Sequence, residues 1–114
     1  MNTLVKGQVI MAELNSTEAN VQRGMSPVIV IQNNIGNKFS PTLIIAPLTS
    51  RIKREMVTHA KLYTTIENGL TVASTALLEQ IQTISKDSVK RVLGVLNEME
   101  MKLINKAIVA SLAL

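Results

Sequence analysis

The chain has 114 residues, 46% of them apolar, and a formal charge of +4, which fits one domain with a single core. It holds no cysteine and one histidine, so disulfides, thiolate zinc sites and thiol nucleophiles are excluded and a metal site has little to draw on. No apolar run nears the roughly 18 residues of a membrane span, and Lys6 and Glu13 interrupt any leader-like core at the start; the expectation is a cytoplasmic protein with no membrane contact, metal or cofactor.

In chain order, "GQVIMAEL" (Gly7 to Leu14) is expected as a strand. The polar stretch "NSTEANVQRGMS" (Asn15 to Ser26) reads as a long loop of the kind that carries function. "PVIVIQN" (Pro27 to Asn33) is apolar on both faces, as a central strand is, with Pro27 at its first position, where a missing N–H costs least. The turn "NNIGNKFSP" joins it to "TLIIAPL" (Thr42 to Leu48) in a hairpin with a long connection. Further strands are expected in "EMVTHAKL" (Glu55 to Leu62) and in "LTVASTALLEQIQTI" (Leu70 to Ile84), the latter broken near Thr75 or Ala76.

After Ile84 the period turns helical. Ser85 serves as an N-cap, and Val89, Val92, Leu93 and Leu96 fall on one helical face. A second helix, Glu98 to Leu112, stripes Met101, Ile104, Ile108 and Leu112, widened by Leu103, Ala107 and Ala110. That surface is too broad for one contact, which leaves a partner subunit or a loosely amphipathic terminal helix as its two accounts. The class is mainly β with C-terminal helices, in a single domain over residues 1–114.

The positive charge is uneven. Through Leu62 there are seven basic residues against three acids, and from Tyr63 five against five; a basic half favours a polyanionic partner or serves solubility alone. Phe39 and Tyr63 are the two aromatic residues, too few for a base-stacking platform, so any RNA would be held mainly by charge and hydrogen bonds. His59 in an alternating stretch reads as a structural or surface histidine, the six methionines as core filler, and "SRIKRE" (Ser50 to Glu55) as a solvated basic loop. No glycine-rich phosphate loop or helix with paired metal ligands is present in the sequence.

The segments "KGQVIMAEL", "QRGMSPVIVIQNNIGNKFSPTLIIAPLTSRI", "VTHAKL", "LLEQIQTISK" and "AIVASLAL", in this order and over nearly the whole chain, closely resemble the MazF/PemK family of toxins. The resemblance implies an SH3-like barrel of the MazF/PemK/CcdB kind, a homodimer, neutralisation by an antitoxin, and sequence-specific, metal-independent cleavage of single-stranded RNA. The family's loop runs from a glutamine through small residues to an arginine before proline; here Gln22 and Arg23 lead to Ser26 and Pro27, so Ser26 stands where the family has its catalytic arginine. The family's active-site threonine matches Thr49 in "LTSRI", and its RNA-contacting segment matches Leu78 to Ile84, with Gln82 where arginine is common. The implied RNA-binding groups are Lys6, Gln22, Arg23, Arg51, Glu79, Gln80 and Gln82, the last two on one strand face. A gyrase-poisoning branch of the barrel relies on a C-terminal tryptophan region, and this chain has no tryptophan.

Without a metal, the 2′-OH must attack its own phosphate, the charge on the phosphorane must meet fixed donors, and the leaving 5′-oxygen needs a proton. Arginine offers a permanent charge in a fork that fits phosphate oxygens, whereas serine offers one neutral hydroxyl. Two expectations stay open: a toxin in which Arg23 takes over the arginine's work, and an inactive relative that binds antitoxin and regulates its operon.

Overall fold

Successive apolar residues along β2 (Gly24–Val30) and β3 (Thr42–Thr49) point to opposite faces of the sheet, and both faces are buried. One cluster gathers Val9, Ile29, Ala46, Leu48 and Leu62; the other gathers Ile10, Val28, Val30, Leu43 and Ile45. The computed structural model describes residues 3–51 and 54–114; Met1 and Asn2, and Ile52 and Lys53 of the basic stretch, lie outside the described residues.

The remaining elements are β1 (Gln8–Leu14), α1 (Asn34–Phe39), β4 (His59–Leu62), β5 (Ser74–Leu77), β6 (Gln82–Ser85), β7 (Val89–Val95) and α2 (Glu98–Leu112). All strand pairs are antiparallel, along the path β4-β5-β3-β2-β1-β7. The far side of β3 is divided: Thr42 to Ile45 pair with β6, and Leu48 and Thr49 pair with β5. The architecture is the expected mainly β, SH3-like barrel, with one C-terminal helix in place of two.

The expected first C-terminal helix is β7, which zips onto β1 with two register shifts. Each bulge adds a residue, so Val89 and Val92, which pair with Ala12 and Ile10, recur at a spacing of three on one sheet face, as two members of the expected helical stripe would. Gly94, poor in a helix, fits the strand, since a Cβ there would sit 2.2 Å from the Glu67 carbonyl oxygen. Ser85 does cap, but what it caps is the 3-10 turn Lys86–Ser88, by accepting from the Asp87 N–H.

Other boundaries move for local reasons. The expected turn after β2 contains α1, capped by Asn33, whose side chain accepts from the Gly36 N–H at 2.8 Å. Pro27 sits inside β2 rather than at its start, and β2 begins at Gly24, which shortens the preceding loop to Asn15–Arg23. Pairing with β3 begins only at Val28. The long Leu70 to Ile84 stretch is broken by a 3-10 turn at Leu78–Gln80, later than expected, and β4 is half the length read from the sequence.

Helix α2 has the expected bounds. A capping box of Asn97 and Glu100 starts it, and Ile104 and Ala107 are buried in the cluster with Leu48 and Leu62. Met101 and Ile108 pack beside them, whereas Leu103, Val109 and Leu112 are about half-exposed. Met101, Ile104 and Ile108 of the stripe thus face the core together with Ala107, whereas Leu103 and, at the end of the stripe, Leu112 do not.

Candidate functional site

Two donors of the Asn15–Leu48 region converge on one acceptor. The Ser26 hydroxyl and the Gln22 side-chain amide both donate to the Leu48 carbonyl oxygen at 3.4 Å, next to Thr49. Ser26 also bonds the Pro27 carbonyl at 3.3 Å. Val28, two residues on, is the first residue of β2 to pair with β3, opposite Pro47, and just before that pairing starts Ser26 reaches the Leu48 carbonyl by its side chain. Ser26 and Thr49 are both buried, at 3% and 5% exposure.

A side chain from across the sheet pins the loop that covers them. Gln80 accepts from the Gln22 backbone N–H at 2.8 Å and donates to the Asn20 carbonyl at 3.0 Å, so one amide closes both backbone groups as a strand neighbour would. Gly24 has φ of +78°, a left-handed joint that glycine takes without strain and that turns the chain from loop into β2. Arg23, just before that joint, is exposed. Arg51 is exposed as well, and its backbone N–H donates to Thr49 Oγ1 at 3.2 Å. The described cations beside the buried hydroxyls therefore stand at the rim, in water.

The other expected RNA-binding residues are dispersed. Lys6 lies at the far end of β2: its N–H donates to Asn34 Oδ1, and the next residue bonds Val30. Gln80 and Gln82 do not share a strand face, because Gln80 belongs to the 3-10 turn and Gln82 opens β6 opposite Ile45. The Gln82 Nε2 is buried without a hydrogen-bond partner among the described residues. Glu79 reaches His59 Nε2 at 2.9 Å and accepts from the Thr58 hydroxyl at 3.3 Å, so it ties the turn to the start of β4. The His59 Nδ1, on the other side of the ring, is buried without a hydrogen-bond partner among the described residues.

Sequence reasoning missed Thr75, the partner of Thr49 on β5, and Lys61, the partner of Thr75 on β4. Only strand register places them in line with Thr49, and register is set by long-range pairing that no local motif announces. Among the described residues no three His, Cys, Asp or Glu side chains are grouped to hold a metal ion, and no helix is long and apolar enough to cross a membrane. Chemistry at this site would rest on amides, hydroxyls and guanidinium groups.

Residues 5–112 match the family described as PemK-like, MazF-like toxin of type II toxin-antitoxin system. A curated relative, endoribonuclease MazF of Staphylococcus saprophyticus, is 41% identical over 110 residues, which are 96% of this chain and 91% of the relative. Among solved structures, MazF from Deinococcus radiodurans is similar with a TM-score of 0.84 at 15% identity, covering 100% of both chains. An endoribonuclease in complex with its cognate antitoxin from a mycobacterial species is similar with a TM-score of 0.80 at 24% identity, over 97% of this chain and 96% of that one. At those identities the two structures speak to the fold.

Proposed function

We propose that this chain, which belongs to the PemK-like, MazF-like toxin family of type II toxin–antitoxin systems, is a sequence-specific, metal-independent endoribonuclease for single-stranded mRNA, slow because Ser26 occupies the place of a cation. The observation that carries this reading is the convergence of Gln22 and Ser26 on the Leu48 carbonyl beside Thr49, under a loop that holds Arg23 at the rim. In this reading the molecule works in the cytoplasm as a homodimer, with the half-exposed residues of α2 as surface for a second copy, and a cognate antitoxin silences it.

The reaction would form a bond between the 2′-oxygen and phosphorus and break the bond from phosphorus to the 5′-oxygen. The proton of the 2′-OH leaves to a base or water, and a proton reaches the departing 5′-oxygen, which yields a 2′,3′-cyclic phosphate and a 5′-hydroxyl. Thr49 and Ser26 supply neutral hydroxyls, and Arg23 and Arg51 supply charge from the rim. Loss of one preorganised donor costs roughly 10²- to 10³-fold in rate, and misplacement by about 1 Å can cost about 10²-fold. A rim arginine is therefore a weak substitute for a fixed one.

The burial of the Ser26 hydroxyl, already committed to two carbonyl oxygens, favours a second reading: an inactive toxin homologue that binds antitoxin and tunes its operon. Incubating the purified chain and its Ser26→Arg variant with end-labelled single-stranded RNA in chelator separates the two. Slow cutting at a restricted set of sites with cyclic phosphate ends, sharply faster in the variant, is the expected result. No cutting by either protein would leave the antitoxin-binding reading in place.

A further inference from the structure

We infer that Asn68–Gly69 is a modification site that the fold holds shut: while the chain is unfolded the Asn68 side chain deamidates, and the product cannot return to its seat. An asparagine followed by glycine is the pair most prone to this reaction, because no side chain shields the backbone nitrogen that attacks, and Asn68–Gly69 is the one such pair in the sequence. The packing nevertheless demands both residues. Gly69 has φ of +69°, and a Cβ there would run into the Leu93 carbonyl oxygen, so glycine alone fits. Asn68 is fully buried and uses its whole amide. Its Oδ1 accepts from the Thr65 and Leu70 N–H groups at 3.2 and 3.0 Å, and its Nδ2 donates to the Tyr63 carbonyl and to a Glu100 carboxylate oxygen, both at 2.9 Å. No other side chain of this size offers two donors and an acceptor.

In the reaction the Gly69 nitrogen gives its proton to a base and attacks Asn68 Cγ. The new N–C bond closes a cyclic imide, Nδ2 leaves as ammonia, and water opens the ring to aspartate or isoaspartate. The folded chain blocks these steps. The Gly69 N–H is donated to the Thr65 carbonyl at 3.3 Å, the Asn68 amide is clamped at both ends so that Cγ does not swing to the nitrogen, and no solvent reaches Asn68. Once formed, aspartate would keep one oxygen on the Thr65 and Leu70 N–H groups. The other would face the Tyr63 carbonyl and the Glu100 carboxylate, as a buried negative charge without a donor. Glu100 also accepts from the Asn97 N–H at 2.9 Å in the cap of α2, so the repulsion falls on the start of that helix. Isoaspartate lengthens the main chain by a carbon where Gly69 already packs on Leu93. Each excursion to the unfolded state therefore converts some molecules into a form that does not refold, and whatever holds the chain folded preserves the amide.

To test this, the purified chain is kept in mildly alkaline buffer with and without guanidinium chloride, and the tryptic peptide Leu62–Lys86, whose one asparagine is Asn68, is followed by mass spectrometry. Conversion to the acid, with aspartate and isoaspartate forms resolved by chromatography, should proceed in denaturant. Without denaturant it should be slower by roughly 100-fold or more, since it then waits on opening of the fold. After the denaturant is removed, the compact fraction from gel filtration should carry only the amide peptide. The variant Asn68→Asp should likewise stay out of the compact fraction, whereas Asn15→Asp, at an exposed position after β1, should refold as the unaltered chain does. Equal conversion with and without denaturant overturns the protected site, as does recovery of the acid form in the compact fraction.

Discussion

The two ends of the strand path from β2 through β3 and β5 to β4 differ in kind. At one end the hydroxyls of Ser26 and Thr49 are 3% and 5% exposed, packed beneath a loop that Gln80 pins at two backbone groups. At the other, exposed lysines and Tyr63 border an open groove between β4 and α2. Flexible cations in water can hold a polyanion at many points, because holding tolerates displacement. Stabilising a phosphorane does not tolerate it, since the donors must already be in place when the charge develops. If the chain is the endoribonuclease proposed, mobile charge stands where holding is needed and neutral, fixed groups stand where chemistry would occur, so binding and turnover should be separable.

The largest expected effect restores a fixed charge at the closed end. Ser26→Arg should raise single-turnover cleavage of labelled RNA by roughly 10²- to 10³-fold, with little change in affinity for RNA whose methylated 2′-oxygens prevent cleavage. The new side chain has to pass Gln22, whose amide shares the Leu48 carbonyl with Ser26, so the gain also reports whether the loop yields. If Ser26→Arg is silent while Arg23→Ala abolishes cleavage, the cation comes from the rim and the comparison between the two ends collapses.

A smaller effect should follow from unpinning the loop. Gln80→Ala leaves the Gln22 N–H and the Asn20 carbonyl without their partner, and a lost hydrogen bond of this part-buried kind costs about 1–3 kcal/mol. Hydrogen exchange at the Gln22 amide should quicken by roughly 5- to 100-fold, and cleavage by the Ser26→Arg variant should fall in kcat more than in KM. Gln80→Glu keeps an acceptor for Gln22 and loses the donor to Asn20, so it should fall between. Exchange at Gln22 that is unmoved in Gln80→Ala would show that the loop is held by something other than this amide.

The sequence made some of this legible and hid the rest for identifiable reasons. Local signals worked where they were strong: α2 begins and ends where its apolar stripe places it, and β1 and β3 follow their apolar runs. The β7 reading failed because two bulges imposed a helix-like spacing on a strand that β1 recruits; tertiary pairing overrode a local pattern. At the site, Gln22, Ser26 and Thr49 are named through the family resemblance, and Gln22 and Ser26 do meet at the Leu48 carbonyl, next to Thr49. Lys6 was named on the same footing and lies elsewhere, since proximity in sequence to β1 says nothing about which end of β2 it meets. Gln80 is expected from the sequence as a base-reading group on a strand; in the 3-10 turn its amide instead bonds Asn20 and Gln22 of the Asn15–Arg23 loop.

The smallest expected effect concerns the link between the two ends. Glu79 joins His59, at the edge of the groove, to the turn that carries Gln80. The carboxylate is 36% exposed, and solvent screening holds such a pair to about 1 kcal/mol or less. The turn has other anchors: the Leu78 N–H donates to the Thr58 carbonyl at 3.0 Å, and the Ser111 hydroxyl of α2 donates to the Leu78 carbonyl at 2.8 Å. Glu79→Gln also keeps an amide within reach of both His59 and Thr58. Urea denaturation should therefore show a loss below about 1 kcal/mol, with Gln22 exchange unchanged. RNA affinity should rise slightly, by about twofold, as a negative charge leaves the rim of a cationic groove. A loss well above that bound, accompanied by faster exchange at Gln22, would mean that the Glu79–His59 contact holds the loop through the turn; the closed and open ends would then be one mechanical unit.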